Sequence, residues 1–219
     1  MPLLPCVEVN PNGDPDSAVI WLHGLGASGH DFEPIVPELG LPESLKVRFV
    51  FPHAPSIPVT INNGFVMPAW YDITEMTIDR KIDTAQIEAS AKSIHDLINR
   101  EIDSGIPADR IVVAGFSQGG AVGYEAALSF PHRLAGLMTL STYYATHDTL
   151  QHNPANADIP IFVSHGDLDP VVPPLLGQKA FQLLLAQGYR PEHKTYRMEH
   201  SVHPEQIVDI GAWLQRVLK

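Results

Sequence analysis

Near the middle of the chain runs Ile111-Val112-Val113-Ala114-Gly115-Phe116-Ser117-Gln118-Gly119-Gly120, which predicts a buried strand that turns sharply into a helix. Residues 115–119 match the pattern Gly-x-Ser-x-Gly. In a nucleophile elbow this pattern holds the serine in a strained backbone conformation at the top of a sheet, and only very small residues fit on either side. The bare pattern also arises by chance, but the flanking strand and helix argue against that. Ser117 is therefore the candidate nucleophile.

The composition is that of a globular chain with an acidic charge balance. The chain has 219 residues, of which 44% are hydrophobic, and a formal net charge of -11. This length favours one domain over residues 1–219. The negative charge argues against a nucleic-acid partner and against attraction to anionic lipid surfaces. No apolar run is long enough to cross a bilayer, so we expect no stable membrane insertion.

Cysteine and histidine usage bear on the compartment and on metals. The single cysteine, Cys6, cannot form an internal disulfide, and residues 1–8 lack the basic and apolar regions of a signal peptide. Both features predict a cytoplasmic protein. The 11 histidines are scattered, without a cluster at metal-ligand spacing. We therefore expect no metal and no cofactor.

Strand and helix patterns alternate along the chain. Strands are predicted at residues 17–22, 46–51, 111–116, 134–140, 158–164 and 193–198. Helices are predicted from Asp31 onward, with Asp31 as the cap, and at 82–102, 121–128, 175–187 and 205–218. Such alternation indicates an α/β fold, a mostly parallel sheet with helices on both faces. Nothing between the elements is long enough to form a separate lid domain.

A glycine-rich loop, residues 23–29, follows the first of these strands. It lacks the lysine of a phosphate-binding Walker loop and the spacing of a dinucleotide fingerprint. His-Gly loops in this position can offer a backbone N–H to an oxyanion, and Leu25 is then the donor. The remaining alternative is a tight turn without a chemical role.

An apolar segment rich in proline and glycine, residues 53–72, follows the second strand. A solvated loop would not normally carry so much apolar surface. Two compatible interpretations remain open: the segment packs as a flap over the core, or it lines a groove for an apolar ligand. The prominent apolar side chains of this segment are Phe65, Val66, Met67 and Trp70, and Ile73 follows directly after it.

A serine nucleophile needs a base to accept its proton and an acid to orient that base, and in a fold of this kind they follow in the order Ser, Asp or Glu, His. The loop after the strand at 158–164 supplies two carboxylates, Asp167 and Asp169. The loop after the last strand supplies His200 and His203. Order and placement do not choose within the pair of carboxylates. His203 directly precedes a proline and resembles a helix cap, which favours a structural role for it.

The chain resembles the acyl-protein thioesterase and small carboxylesterase family of α/β-hydrolases, also called the phospholipase/carboxylesterase family. Five blocks in the family's order carry the resemblance: residues 23–26, 68–72, 115–120, 165–172 and 198–200. The family's motifs place its acid at the position of Asp169 and its histidine at that of His200. One departure is Thr142, where the family commonly has glycine, and it leaves the substrate range open.

Motifs and resemblance together predict an α/β-hydrolase fold and a serine carboxylesterase that hydrolyses small to medium-chain acyl esters or thioesters through an acyl-enzyme. Ser117, His200 and Asp169 form the expected triad, backbone N–H groups of Leu25 and Gln118 the expected oxyanion hole, and Trp70 and Ile73 expected substrate contacts. The alternatives are a main role as acyl-protein thioesterase or lysophospholipase, a serine peptidase or amidase, and a catalytically inactive binding protein. The resemblance also suggests a homodimer.

Overall fold

The computed structural model of the chain describes residues 3–75 and 82–219, so the parts of the expected 1–219 domain at 1–2 and 76–81 lie outside the described residues. The described strands are β1 (Cys6–Val9), β2 (Ser17–Leu22), β3 (Val47–Pro52), β4 (Ser56–Val59), β5 (Phe65–Pro68), β6 (Ile111–Phe116), β7 (Gly136–Leu140), β8 (Ile161–Gly166) and β9 (Glu192–Tyr196). The described α-helices are α1 (Thr84–Asp103), α2 (Gln118–Ser129), α3 (Pro174–Ala186) and α4 (Pro204–Val217).

Seven of these strands form one sheet in the order β1-β3-β2-β6-β7-β8-β9. The edge strand β1 is antiparallel to β3, and every other neighbouring pair is parallel. Parallel neighbours require crossover connections, and the helices supply most of them. The predicted fold class, a mostly parallel sheet with helices on both faces, is confirmed.

The two faces of the sheet are covered by different elements. Helices α1, α2 and α3 bury one face, where Ile111 and Val113 of β6 point. Helix α4 and a 3-10 segment, Glu33–Leu39, bury the other face, where Val112 and Ala114 point. Because both faces are covered, consecutive residues of the central strands are all apolar, which is why these strands stand out in the sequence.

The helix expected to begin at Asp31 differs from the prediction. The structure has the 3-10 segment Glu33–Leu39 instead, with Phe32 at the N-cap position and no side-chain cap. Pro37 lies inside the segment, and its missing N–H removes a hydrogen bond that an α-helix would need. The prediction of Asp31 as a helix cap was therefore wrong.

The apolar flap forms a hairpin outside the main sheet. Strands β4 and β5 pair antiparallel, with Ile57 opposite Met67. The hairpin touches the loop after β2, where the N–H of Gly26 donates to the carbonyl of Pro68 at 2.8 Å. The flap therefore borders the carboxyl edge of the sheet, where the loops after β2, β6, β8 and β9 also lie.

Among the described residues, no helix combines the length and the apolar character that crossing a membrane requires.

A buried ion-pair network joins α1 to the edge of the sheet. Glu101 is fully buried and pairs with Arg48 of β3 at 3.0 Å and with its neighbour Arg100 at 2.6 Å. Arg100 also reaches Glu8 of β1 at 2.8 Å. Removing one partner of such a network leaves the others without compensation, which makes Glu101 a sensitive point for stability.

We expect Glu101→Gln to lower the free energy of unfolding by about 3 kcal/mol, the low end for a broken buried pair, because both arginines stay partly solvated. Urea denaturation of the purified variant measures the change. Glu88→Gln is the control, since Glu88 is an exposed glutamate on the same helix. Equal shifts in the two variants would contradict a special role for the buried network.

Candidate active site

The turn between β6 and α2 is a strained elbow. Ser117 has φ 53° and ψ -120°, a conformation that non-glycine residues rarely adopt. The strand and the helix approach so closely that a Cβ added to Gly115 would lie 2.4 Å from the carbonyl oxygen of Gly119. A Cβ on Gly119 would lie 2.6 Å from the carbonyl oxygen of His23. Glycine is therefore required on both sides of the serine.

Three predicted side chains form one hydrogen-bonded chain. The Oγ of Ser117 lies 2.9 Å from Nε2 of His200, and Nδ1 of His200 lies 2.7 Å from Oδ2 of Asp169. Because a carboxylate can only accept hydrogen bonds, Nδ1 carries the proton and donates to Asp169. Nε2 is then free of a proton and accepts a hydrogen bond from the serine hydroxyl. The three residues come from the loops after β6, β9 and β8, at one edge of the sheet.

A tight turn holds the carboxylate of Asp169. The N–H groups of Val171 and Val172 donate to its Oδ1 at 2.8 and 2.9 Å. Burial alone would raise the pKa of Asp169, but the hydrogen bonds from His200 and from these two N–H groups outweigh burial and hold the pKa below its ordinary value. The group is therefore ionised at neutral pH. Asp167, the other carboxylate of this loop, is exposed.

His203 has the structural position that its neighbouring proline indicates. It is the N-cap of α4, where its Nδ1 accepts the N–H of Glu205 at 3.2 Å. Gln206 completes a capping box by accepting the N–H of His203 at 3.2 Å. Of the two histidines in this loop, only His200 is hydrogen-bonded to Ser117.

Two positions that sequence reasoning passed over support this chain of side chains. The Nε2–H of buried His165 donates to the carbonyl of Val172 at 2.8 Å, and so fixes the turn around Asp169. Burial lowers the pKa of His165, which favours the neutral ring. The ring of Phe116 lies 4.7 Å from that of His200, centroid to centroid. The available signals were their places in the motifs, His165 opening His-Gly-x-x-Asp and Phe116 preceding the serine.

The backbone N–H groups of Leu25 and Gln118 lie on adjacent loops, since β2 pairs with β6 up to Leu22 opposite Gly115. In the described part of the chain neither N–H donates a hydrogen bond to the protein. Gln118 also opens α2, whose N-terminal dipole favours negative charge. Two unused donors beside a serine hydroxyl suit an anion that forms on the substrate.

Thr142 follows β7, and its hydroxyl donates to the carbonyl of Ser117 at 2.6 Å. Its methyl group fills the space beside Gly120, where an added Cβ would lie 2.5 Å away. The residue that departs from the resembled family therefore contacts the elbow itself.

The structure assigns different parts of the flap to the core and to the surface. Trp70 and Ile73, expected to contact substrate, are 2% and 4% exposed and belong to the core cluster. Phe65 and Val66, at the start of β5, are 67% and 56% exposed. The interpretation of core packing therefore holds for Trp70 and Ile73, and a groove for an apolar ligand stays a prediction. Substrate contact by Trp70 and Ile73 stays a prediction.

The described residues include no group of three or more histidine, cysteine or acidic side chains placed to hold a metal ion.

Comparisons with known proteins agree with this fold. A model of the phospholipase/carboxylesterase family matches residues 5–218. Acyl-protein thioesterase 1 of Neurospora crassa is 43% identical over 209 residues, covering 90% of this chain and 85% of that protein. The crystal structure of Zea mays acyl-protein thioesterase 2 matches with a TM-score of 0.86 at 30% identity, over 98% of this chain and 99% of that one. The crystal structure of Arabidopsis thaliana SOBER1 matches with a TM-score of 0.86 at 33% identity, over 93% and 99%.

The sheet order and the polar residues at its carboxyl edge define an α/β-hydrolase. Within that class, the chain belongs to the phospholipase/carboxylesterase family, which confirms the resemblance seen in the five sequence blocks.

Proposed function

We propose that this hydrolase cleaves acyl esters or acyl thioesters through an acyl-enzyme, with Ser117 as nucleophile, His200 as general base and acid, and Asp169 as the group that orients His200. The observation that carries the proposal is the hydrogen-bonded chain from the serine Oγ through both ring nitrogens of His200 to Asp169. The strained elbow adds support, because it holds the hydroxyl at the edge of the sheet where a substrate can approach.

Acylation begins when Nε2 of His200 takes the proton of Ser117 and the serine oxygen attacks the acyl carbon. The carbonyl oxygen becomes an oxyanion, and the N–H groups of Leu25 and Gln118 donate to it. Collapse of this intermediate breaks the bond to the alcohol or thiol, which takes the proton from His200. In the second half of the reaction, His200 takes a proton from water and the water oxygen attacks the acyl carbon of the acyl-enzyme. Collapse of this intermediate breaks the bond to Ser117, which takes the proton from His200, and releases the acid. These steps use only side chains and backbone groups, so we propose no metal or cofactor.

Two features support an acyl substrate with an apolar chain. Leu168 and Val171 flank Asp169 in sequence and are exposed, as is Leu175 at the start of α3. Phe65 and Val66 add exposed apolar surface on the flap. Exposed apolar surface on the loop that carries Asp169 and on the flap favours an apolar acyl group of small to medium length.

Acyl-protein thioesterase is the second candidate function, and the names of the relatives from Neurospora crassa and Zea mays favour it. A thiolate leaves more readily than an alkoxide, so the same residues would serve for both bonds.

Fluorophosphonate labelling and a substrate panel test the proposal. The probe should attach to Ser117, located by mass spectrometry of the digested protein. Oxoesters, thioesters and amides of the same acyl group should show turnover of the first two and little of the third. Labelling at another residue would contradict the proposed nucleophile, and amide turnover comparable to ester turnover would favour the peptidase or amidase alternative.

We expect kcat/KM to rise with acyl length until the apolar surface is covered, because each buried CH₂ contributes about 0.8 kcal/mol, up to roughly fourfold in kcat/KM. Phe65→Ser should flatten this rise while changing the rate on acetate esters little. Val208→Ser is the matched control, since Val208 is an equally exposed apolar residue on α4. A flat profile in the unmodified protein, or one governed by the alcohol, would exclude an acyl groove at this edge.

A further inference from the structure

The two proposed oxyanion donors belong to separate loops, and an oxyanion hole works only if both N–H groups meet at one point. Leu25 lies in the loop after β2, and Gln118 lies at the start of α2. The pairing of β2 with β6 brings the loops together but ends at Leu22 and Gly115, short of both donors. Contacts beyond the sheet must therefore set the position of each donor.

One contact is made by the side chain of Gln118. Its Oε1 accepts the N–H of Trp70 at 2.8 Å, and its Nε2 donates to the carbonyl of Tyr71 at 2.6 Å. The side-chain amide thus satisfies two backbone groups of consecutive residues, 48 and 47 positions away in sequence. Both partners are buried, so the pair is protected from competition by water.

The second loop is held by the same segment. The indole N–H of Trp70 donates to the carbonyl of His23 at 2.8 Å, and the carbonyl of Pro68 accepts the N–H of Gly26 at 2.8 Å. These two contacts lie on either side of Leu25 in sequence. The ring of His23 fixes the loop further, because its Nε2 accepts the N–H of Ala54 and its Nδ1–H donates to the carbonyl of Gly24.

Helix α1 in turn anchors this segment. The hydroxyl of Ser90 donates to the carbonyl of Trp70 at 2.5 Å, and Oε1 of Gln86 accepts the N–H of Asp72 at 2.8 Å. The dipeptide Trp70-Tyr71, which we call the brace, therefore connects α1 to both loops that carry the proposed donors.

We propose that the brace sets the distance and angle between the Leu25 and Gln118 N–H groups, and that the Trp70 indole and the Gln118 side chain are positioning residues of the oxyanion hole. The inference rests on the proposed function. It gives Trp70 a role through hydrogen bonding rather than through contact with the acyl chain. We call the hydrogen bond of the Trp70 indole to His23 one tie, and the hydrogen bonds of the Gln118 side chain to the brace the other. Because misplacement by about 1 Å can cost about 100-fold in rate, loss of either tie should lower kcat by about 10- to 100-fold.

Trp70→Phe tests one tie, because it removes the indole N–H and keeps an aromatic ring. Trp213→Phe is the matched control: Trp213 is as buried as Trp70, and its indole N–H has no hydrogen-bond partner within the described residues. Gln118→Met tests the other tie with a side chain of similar size, and it leaves the backbone N–H in place. Each variant is assayed with p-nitrophenyl butanoate, and its thermal midpoint is recorded.

The readout specific to an oxyanion hole is inhibition by an alkyl trifluoromethyl ketone, which forms a tetrahedral adduct with a serine nucleophile. For Trp70→Phe and Gln118→Met, the inhibition constant should rise in proportion to the fall in kcat/KM, with KM changed by less than about threefold. The double variant should lose little more than either single variant, because both ties act through one brace. Trp213→Phe should keep kcat within about twofold.

Two results would overturn the proposal. Folded Trp70→Phe with kcat within about twofold of the unmodified protein would show that the indole tie does not position the donors. Equal losses of kcat in Trp70→Phe and Trp213→Phe would show that the loss comes from the smaller ring and not from the missing hydrogen bond. If Gln118→Met fails to fold, the pair of tryptophan variants still decides. In either case abolition of activity by Ser117→Ala would leave the proposed function standing, so the two failures are distinguishable.

Discussion

Replacing Ser117 with alanine is expected to lower kcat for ester hydrolysis by about 10⁶-fold, the loss typical of removing a triad nucleophile. The oxygen that attacks the acyl carbon is absent in the variant, so no acyl-enzyme forms. The fold should persist, because alanine is smaller than serine and fits the same space at the elbow. Its backbone has to adopt the same φ of 53°, which is as strained for alanine as for serine. Hydrolysis of p-nitrophenyl butanoate, followed over long incubations for the slow variant, measures the loss, and circular dichroism checks the fold.

Ser141→Ala is the matched control for this variant. Ser141 follows β7 and is also a buried serine with a positive φ, 47°, but its hydroxyl has no hydrogen-bond partner in the described part of the chain. We expect its kcat to stay within about threefold of the unmodified protein. A Ser117→Ala variant that retains more than about 1% of the activity would exclude the triad mechanism, as would an equal loss in Ser141→Ala.

The strands and the elbow could be predicted because burial leaves a strong local signal. The residues of β6 are apolar throughout, since helices cover both faces of the sheet at that point. Gly115 and Gly119 mark the elbow because a side chain on either would collide with backbone. The order of the loops then followed from the alternation of strand and helix, which places their polar residues at one edge of the sheet.

The choice between neighbouring polar residues was harder to make from the sequence. Asp167 and Asp169 lie two positions apart in one loop, and only the family resemblance favoured the second. The structure separates them physically. Asp169 is buried in a turn whose N–H groups come from Val171 and Val172, whereas Asp167 faces solvent. The strand before them also runs further than predicted, since β8 ends at Gly166 and not at position 164.

Contacts between distant residues left no signal in the sequence. Trp70 resembled a ligand contact because a solvated, proline-rich segment seldom carries so large an apolar side chain. The structure adds a contact that no local pattern indicates, because its indole N–H reaches the carbonyl of His23, 47 positions away. The 3-10 segment Glu33–Leu39 was missed for a local reason: helical periodicity does not distinguish a 3-10 turn from an α-helix over seven residues, and the signal against an α-helix was Pro37.

Asp169→Asn is expected to lower kcat by about 10⁴-fold while leaving KM nearly unchanged. Asparagine keeps the shape, but its two ends are no longer equivalent. Oδ1 of Asp169 accepts two backbone N–H groups, so the asparagine oxygen has to take that position and its NH₂ then faces Nδ1 of His200. The ring can accept this donor only with its own proton on Nε2, where it can no longer take the proton of Ser117.

Asp167→Asn is the matched control, since it makes the same change two positions earlier on an exposed side chain. We expect its kcat to remain within about twofold of the unmodified protein. Fluorophosphonate labelling supplies a second readout, because in Asp169→Asn the serine should react far more slowly although Ser117 is still present. The reverse pattern, with Asp167→Asn inactive and Asp169→Asn active, would show that the acid of the triad is Asp167. Equal and small losses in both variants would show that His200 needs no carboxylate to hold its tautomer, and the proposed mechanism would then lack its third member.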